Sequence, residues 1–125
     1  MLVDTTFLID LADEVDAGLA GPAKRWLARH RSQSLWTTVI SLGELAAGLR
    51  DNNAARVFLS SYRVARLVPE IAYEAAAIDR ELIRRGGRLG ENDNWIAGFA
   101  RYYGEPLVSN DEAFDRVAGI RRIPY

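Results

Sequence analysis

Four carboxylates stand where they can do chemistry: Asp4, Glu44, Asp93 and Asp111. If the fold brings them together, they form a cation site. Two carboxylates about 5 Å apart repel by about 3 kcal/mol at an effective dielectric of about 20. Four acids make several such pairs, and without compensation some would protonate. The chain offers few other tools. It has no cysteine, which excludes disulfides, thiolate zinc sites and cysteine nucleophiles. Its single histidine, His30, follows Arg29 and reads as a helix-end residue. The usual general base and the usual transition-metal ligand are therefore nearly absent. Oxygen ligands without His or Cys suit Mg²⁺ or Mn²⁺ rather than zinc. Such ions hold phosphate oxygens and activate water for in-line attack.

Each acid also has a plainer explanation. Asp caps helix N-termini by accepting their free amides, and Asp4, Asp93 and Asp111 all precede helical patterns. Ser41-x-x-Glu44 matches a capping box, although its helix starts nearer Thr38. The spacing alone does not bring the four together; only the fold can.

The elements that would position them can be read from periodicity and punctuation. Leu2-Val3 reads as a buried strand ending at Asp4, followed by a helix from Thr5 to about Leu11. Asp13, Glu14 and Asp16 read as a polar break and a solvated loop. Pro22 opens a helix to about His30. Ser34 to Thr37 is a short strand, and Val39 to Leu49 an amphipathic helix carrying Glu44 about one turn in. Asn52 to Tyr62 is a further helix, and Arg66 to Val68 a strand stopped by Pro69. Glu70 to Arg85 places Ile71, Ala75, Ile78 and Leu82 at helical spacing before Gly86-Gly87. Arg88 to Glu91 is a loop, Asp93 opens the helix of Trp95 to Tyr103, and Gly104 closes it. Pro106 to Val108 is a buried strand, Glu112 to Val117 a short helix, and Ile120 to Ile123 an edge strand. Alternation of this kind predicts an α/β domain with a mostly parallel sheet and helices on both faces. Such sheets bind ligands beyond the carboxyl ends of their strands, where helices begin, and Asp4, Asp93 and Asp111 are read at such junctions.

Composition sets the outer bounds. The 125 residues fit a single domain spanning 1–125, and 49% hydrophobic content supports a core. No apolar run is long enough to cross a membrane, and Asp4 falls where a signal peptide would need positive charge, so a soluble cytoplasmic protein is expected. The net charge of −1 means that binding to nucleic acid would rely on local basic patches or bound cations.

Four segments, in order, resemble the PIN-domain family. They are Val3-Asp4-Thr5-Thr6-Phe7-Leu8-Ile9, Ser41-Leu42-Gly43-Glu44-Leu45-Ala46-Ala47-Gly48, Asn92-Asp93-Asn94-Trp95-Ile96-Ala97 and Leu107-Val108-Ser109-Asn110-Asp111-Glu112-Ala113-Phe114. Length, motif order and spacing are similar to the small VapC-type toxins of bacterial toxin–antitoxin pairs. The resemblance implies a PIN-like three-layer α/β/α fold with a short central sheet. It implies an Mg²⁺- or Mn²⁺-dependent endoribonuclease with Asp4, Glu44, Asp93 and Asp111 as its acids. Asp4 and Asp93 would be the main metal ligands, and Thr6 would orient Asp4. The implied partners are an RNA substrate, a cognate antitoxin in the groove beside the acids, and a second copy in a homodimer. Ser109 stands where the family often has Thr. Glu91 and Glu112 are alternatives for the fourth acid.

Other residues stay open between two roles. Arg84, Arg85 and Arg88 either grip RNA phosphates or answer the negative end of a helix. Trp95 either packs its helix or stacks on a base. Trp26, Trp36, Tyr102 and Tyr103 read as core or interface. Two rival functions remain: a PIN-like binding or dimerisation module without catalysis, and an aspartyl-phosphate phosphatase. The second usually wants an Asp two residues after the first, where Thr6 stands, and no phosphate-binding glycine loop is present.

Overall fold

In the computed structural model, which describes residues 1–125, the chain enters at the middle of its own sheet. Strand β1 (Leu2–Val3) is followed by helices α1 (Thr5–Asp16) and α2 (Pro22–Arg29). Then come β2 (Trp36–Thr37), α3 (Val39–Gly48), α4 (Asn52–Phe58) and β3 (Arg63–Val64). The second half is α5 (Pro69–Arg85), α6 (Glu91–Tyr103), β4 (Leu107–Val108), a 3₁₀ helix (Glu112–Arg116) and β5 (Arg122–Ile123). The sheet order is β3-β2-β1-β4-β5, and every adjacent pair is parallel. The expected "mostly parallel" sheet is thus parallel throughout.

Side-chain alternation along these short strands divides the core in two. Leu2 and Leu107 face a cluster built on Ile71, Ile78, Leu82, Ile96, Phe99 and Phe114, from α5, α6 and the 3₁₀ helix. Val3 and Val108 face the other way, onto Phe7, Leu8, Leu11, Trp26, Leu45 and Leu59 from the first half of the chain. A strand buried on both faces must be apolar at consecutive positions, which is why Leu-Val recurs in β1 and β4. The result is the three-layer α/β/α arrangement expected from the sequence. No helix is long and apolar enough to cross a membrane.

Several boundaries differ from the sequence reading, each for a physical reason. Helix α1 runs through the supposed break to Asp16, and the turn falls at Gly18 with φ +65°. Glu14 is not a solvated loop residue. Its carboxylate accepts from the amides of Ala23 (3.0 Å) and Lys24 (2.7 Å), capping α2, whose own N-cap Gly21 has no side chain. A Cβ at Gly21 would lie 2.2 Å from Glu14 Oε1, so the cap requires glycine there. Glu14→Ala is expected to cost about 1–2 kcal/mol, read as a lower urea midpoint with unchanged slope.

Strand β3 is Arg63–Val64, not 66–68. It is an exposed edge strand without a hydrophobic pattern, held by bonds from Arg63 N to Leu35 O and from Ala65 N to Thr37 O. Val68 instead caps α5, with Pro69 in the first turn. Helix α4 stops at Phe58 rather than Tyr62. Helix α6 begins at Glu91 with Gly90 as its N-cap, so the loop ends earlier than expected.

Helix α6 packs closely on α5. A Cβ at Gly98 would meet Ala75 Cβ and Ile71 O, both at 3.1 Å, and Asn94 Nδ2 donates to Ala75 O at 2.8 Å. Gly98→Val is expected to cost about 2 kcal/mol or more through overpacking, measurable as a lower melting temperature. Of the aromatic residues read as core or interface, Tyr102 is exposed and the others are buried or half-buried. Trp26 is buried, with His30 stacked on it at 4.0 Å and Phe7 edge-on at 5.5 Å. Trp36, Trp95 and Tyr103 are half-buried against the α5–α6 cluster. His30 is the C-cap of α2 and its Nδ1 donates to Trp26 O at 2.8 Å, a structural role.

Candidate active site

The buried polar residues of this protein are Asp4, Thr37, Thr38, Ser41 and Ser109. All lie at the carboxyl ends of β1, β2 and β4 or in the helix turn just beyond them. A core that tolerates polar groups at one end only marks that end as the place for a ligand. It is also the point where the chain order reverses, since β1 is flanked by β2 on one side and β4 on the other.

Asp4 leaves β1 and caps α1, its Oδ1 accepting from Phe7 N at 2.7 Å. It is 3% exposed. Burial raises its pKa to about 6; the Ser109 hydroxyl and the Phe7 amide pull it back, and the charges of Asp93 and Asp10 push it up. Asp93 lies in the first turn of α6, half-buried; it is not a cap, and it does not stand at a strand end as expected, because α5 and not a strand precedes α6. Its pKa is raised by burial, then by the charges of Asp111 and Glu44. The four predicted acids are therefore one electrostatic group with Asp93 at its hub. Neither Glu91 nor Glu112 is among the charges that act on Asp93 or Asp4.

Glu44 reaches the group from α3 and is held on both sides. Thr5 Oγ1 donates to its Oε2, and Asn92 Nδ2 donates to its Oε1 at 2.7 Å. Helix α3 is capped by Thr38, which accepts from Ser41 N at 3.0 Å, so the capping-box reading of Ser41 and Glu44 falls away. Asp111 caps the 3₁₀ helix through Ala113 N at 2.8 Å, and its own amide donates to Ser109 Oγ at 3.0 Å.

Thr6 does not orient Asp4. It is exposed and makes no side-chain hydrogen bond, while Thr5, one residue earlier, faces Glu44 and Ser41. The hydroxyl that lowers the Asp4 pKa is that of Ser109, not Thr6. Arg88 does not reach the site either. Its Nε and Nη2 form a two-point pair with Asp79 at 2.9 and 3.0 Å. Three residues were not foreseen. Asn92 fixes Glu44, Asp10 adds charge near Asp4 while accepting from Tyr125 OH at 2.6 Å, and Arg122 pairs with Asp115 and donates to Ser109 O at 3.2 Å. Only Asn92 had a sequence cue, its position beside Asp93.

The donor chemistry fits a hard divalent cation. All four acids offer oxygen, and two have pKa values raised by burial and like charge, the situation that a bound cation reverses. The side chains nevertheless stand apart. No three His, Asp or Glu groups are gathered closely enough to hold an ion; Asp4, Glu44 and Asp111 are each engaged by protein neighbours.

The chain belongs to the PIN-domain family, whose model matches residues 1–120. Comparison with curated proteins gave no sequence match. Among solved structures, it is similar to a chain of VapBC-1 from nontypeable Haemophilus influenzae. The TM-score is 0.81 at 20% identity, covering 98% of this chain and 96% of that one. It is also similar to a chain of VapBC2 from Rickettsia felis bound to a promoter DNA fragment, with a TM-score of 0.80 at 18% identity and 99% and 97% coverage. A third is a chain of DNA-bound VapBC from Salmonella typhimurium, with a TM-score of 0.75 at 23% identity and 98% and 96% coverage. At these identities the likeness concerns the fold.

Proposed function

We propose that this protein is a metal-dependent endoribonuclease of the VapC type, the toxin of a toxin–antitoxin pair, built as one PIN domain over residues 1–125. The observation that carries the reading is the convergence of charge on Asp93. The charges of Glu44 from α3 and Asp111 from the end of β4 act on Asp93, and the charge of Asp93 acts in turn on Asp4 at the end of β1. An acidic pocket of this kind repels a phosphodiester unless a cation stands between them.

Asp4 and Asp93 would hold Mg²⁺ or Mn²⁺, with Glu44 and Asp111 completing the acidic set. The ion, when bound, supplies charge neutralisation and a water of lowered pKa for hydrolysis of the RNA phosphodiester bond. The chain's own residues prepare the acids. Phe7 N and Ser109 fix Asp4, Thr5 and Asn92 aim Glu44, and the bare backbone of Gly90, whose Cβ would sit 3.7 Å from Asp93 Oδ2, leaves room beside Asp93.

The VapBC assemblies among the fold relatives support a cognate antitoxin as partner. The same reading makes the protein a cytoplasmic homodimer. The test is cleavage of a mixed RNA pool with Mg²⁺, with Mn²⁺ and with chelator, for the wild type and Asp93→Asn. Cutting that needs the metal and fails in the variant is the expected result. Cutting that survives both controls would overturn the mechanism. No cutting of any RNA, with no Mg²⁺ bound, would favour a binding module.

A further inference from the structure

Several arginines are already paired. Arg88 is held by Asp79, Arg122 by Asp115, and Arg101 by Glu74 and Glu81. Arg85 and Arg116 are not. Both are exposed, and neither has an acidic partner within salt-bridge distance. They line one cavity of about 470 Å³, together with Leu82, Gly86 and Gly87. The chain carries 17 acidic residues and a net charge of −1, yet no acid lines this cavity.

The cavity has a built floor. Gly86 takes φ +76°, and the amides of Gly86 and Gly87 turn back onto the carbonyls of Ile83 and Leu82 at 3.1 and 3.0 Å. The carbonyls of Leu82 and Ile83 in the last turn of α5 are thus closed off. Gly87 has no side chain, and a Cβ there would lie 3.5 Å from Arg116 Nη1, so the guanidinium rests over bare backbone. Arg85 Nη1 also reaches Arg116 O, at 3.4 Å, tying the two segments together.

Position gives the cavity its meaning. Gly86-Gly87 opens the loop that leads into Asp93, and Arg116 ends the 3₁₀ helix that Asp111 caps. At about 2.0 Å rise per residue, Arg116 lies on the order of 10 Å along that helix from Asp111. A strand of RNA crossing the acids would pass the cavity a short way along its backbone. Guanidiniums hold phosphate oxygens through paired N–H donors.

We propose that Arg85 and Arg116, over the Gly86-Gly87 turn, form a subsite for a flanking phosphate of single-stranded RNA. The proposal rests on the nuclease reading for its direction, but it is tested by binding alone. A fluorescein-labelled oligouridylate is titrated by anisotropy into the full chain with chelator present, across a salt series. The variants are Arg85→Gln/Arg116→Gln, the double Arg→Lys, and Arg29→Gln on α2, which packs on the opposite face of the sheet from α5. Thermal melting checks that each is folded.

Binding by the Gln pair is expected to fall about tenfold, with the salt slope reduced by about 0.7 for the lost phosphate contact. The Lys pair restores the slope, and Arg29→Gln matches the wild type. Equal binding by every variant would overturn the subsite. So would an equal loss in Arg29→Gln, which would mean diffuse attraction. Inorganic phosphate or labelled oligoglutamate binding as tightly as the RNA, with the same arginine dependence, would assign the cavity to free anions or acidic peptide and also overturn it. Failure of the nuclease reading appears separately, as absence of cleavage with Mg²⁺ while this arginine dependence persists.

Discussion

Asp4→Asn is expected to lower RNA cleavage by roughly 10²–10³-fold or more while making the metal-free protein more stable. The two effects have one cause. Asp4 is 3% exposed, and its pKa stands near 6 instead of 3.8. Holding it ionised in the fold therefore costs about 3 kcal/mol above the pKa range, at about 1.36 kcal/mol per unit. Asn removes that cost and keeps the cap on Phe7 N, because Asn is as good an N-cap as Asp. Some gain is lost, since a negative charge at the start of α1 is worth about 0.3–1 kcal/mol. A net gain of about 2 kcal/mol remains, read as a higher urea midpoint at pH 8 in chelator. A variant that is less stable there would mean that burial and repulsion are not what holds Asp4 high. Such an exchange of stability for function is common where charges are gathered for chemistry.

Much of this site was legible from residue order alone. Parallel α/β sheets place ligands at strand ends, so Asp4 and Asp111 stand out as the acids just beyond the two buried Leu-Val pairs. Glu44 could not be found that way. It sits within α3, and its cue was the neighbouring motif Ser41 to Gly48 rather than any junction. Ser41 proves to be fully buried, within hydrogen-bonding distance of Thr5 and Thr38.

The features that the sequence hid have a common origin. Thr5 and Thr6 are the same residue type, and successive helical positions differ by about 100°. Only the cap geometry of Asp4 decides that Thr5 faces Glu44 and Thr6 faces solvent. Glu14 has the polarity of a solvated residue, but its partners Ala23 and Lys24 lie across a turn, and polarity does not distinguish capping from hydration. β3 escaped because a two-residue exposed edge is held by backbone bonds that no side-chain pattern reports. Arg88 and Arg101 find acids 9 to 27 residues away, so which arginines stay free emerges only in three dimensions.

The metal-free protein is expected to lose stability as the pH rises, and a divalent cation is expected to restore it. The sign comes from Asp4. Its folded pKa is above its unfolded value, so between about pH 4 and pH 6 the folded state binds the proton more tightly. Unfolding then releases protons, and stability falls with rising pH until both states are ionised. The loss attributable to Asp4 is about 3 kcal/mol, complete a little above pH 6. Asp93 shifts in the same direction and adds to the fall. This is opposite to the usual carboxylate, which is paired in the fold and stabilises it as the pH rises. Asp115, held low by Arg122 but exposed, contributes little of that opposing trend. Urea unfolding at pH 4.5, 6 and 8 in chelator measures the fall, and Asp4→Asn should flatten it. Millimolar Mg²⁺ at pH 8 should raise the midpoint of the wild type and leave Asp4→Asn nearly unmoved, since a ligand that binds only the folded state stabilises it by mass action. A rise in stability with pH between 4 and 6 in wild type, absent from Asp4→Asn, would reverse the sign assigned to Asp4. It would mean that this carboxylate is stabilised by its hydrogen bonds more than it is penalised by burial.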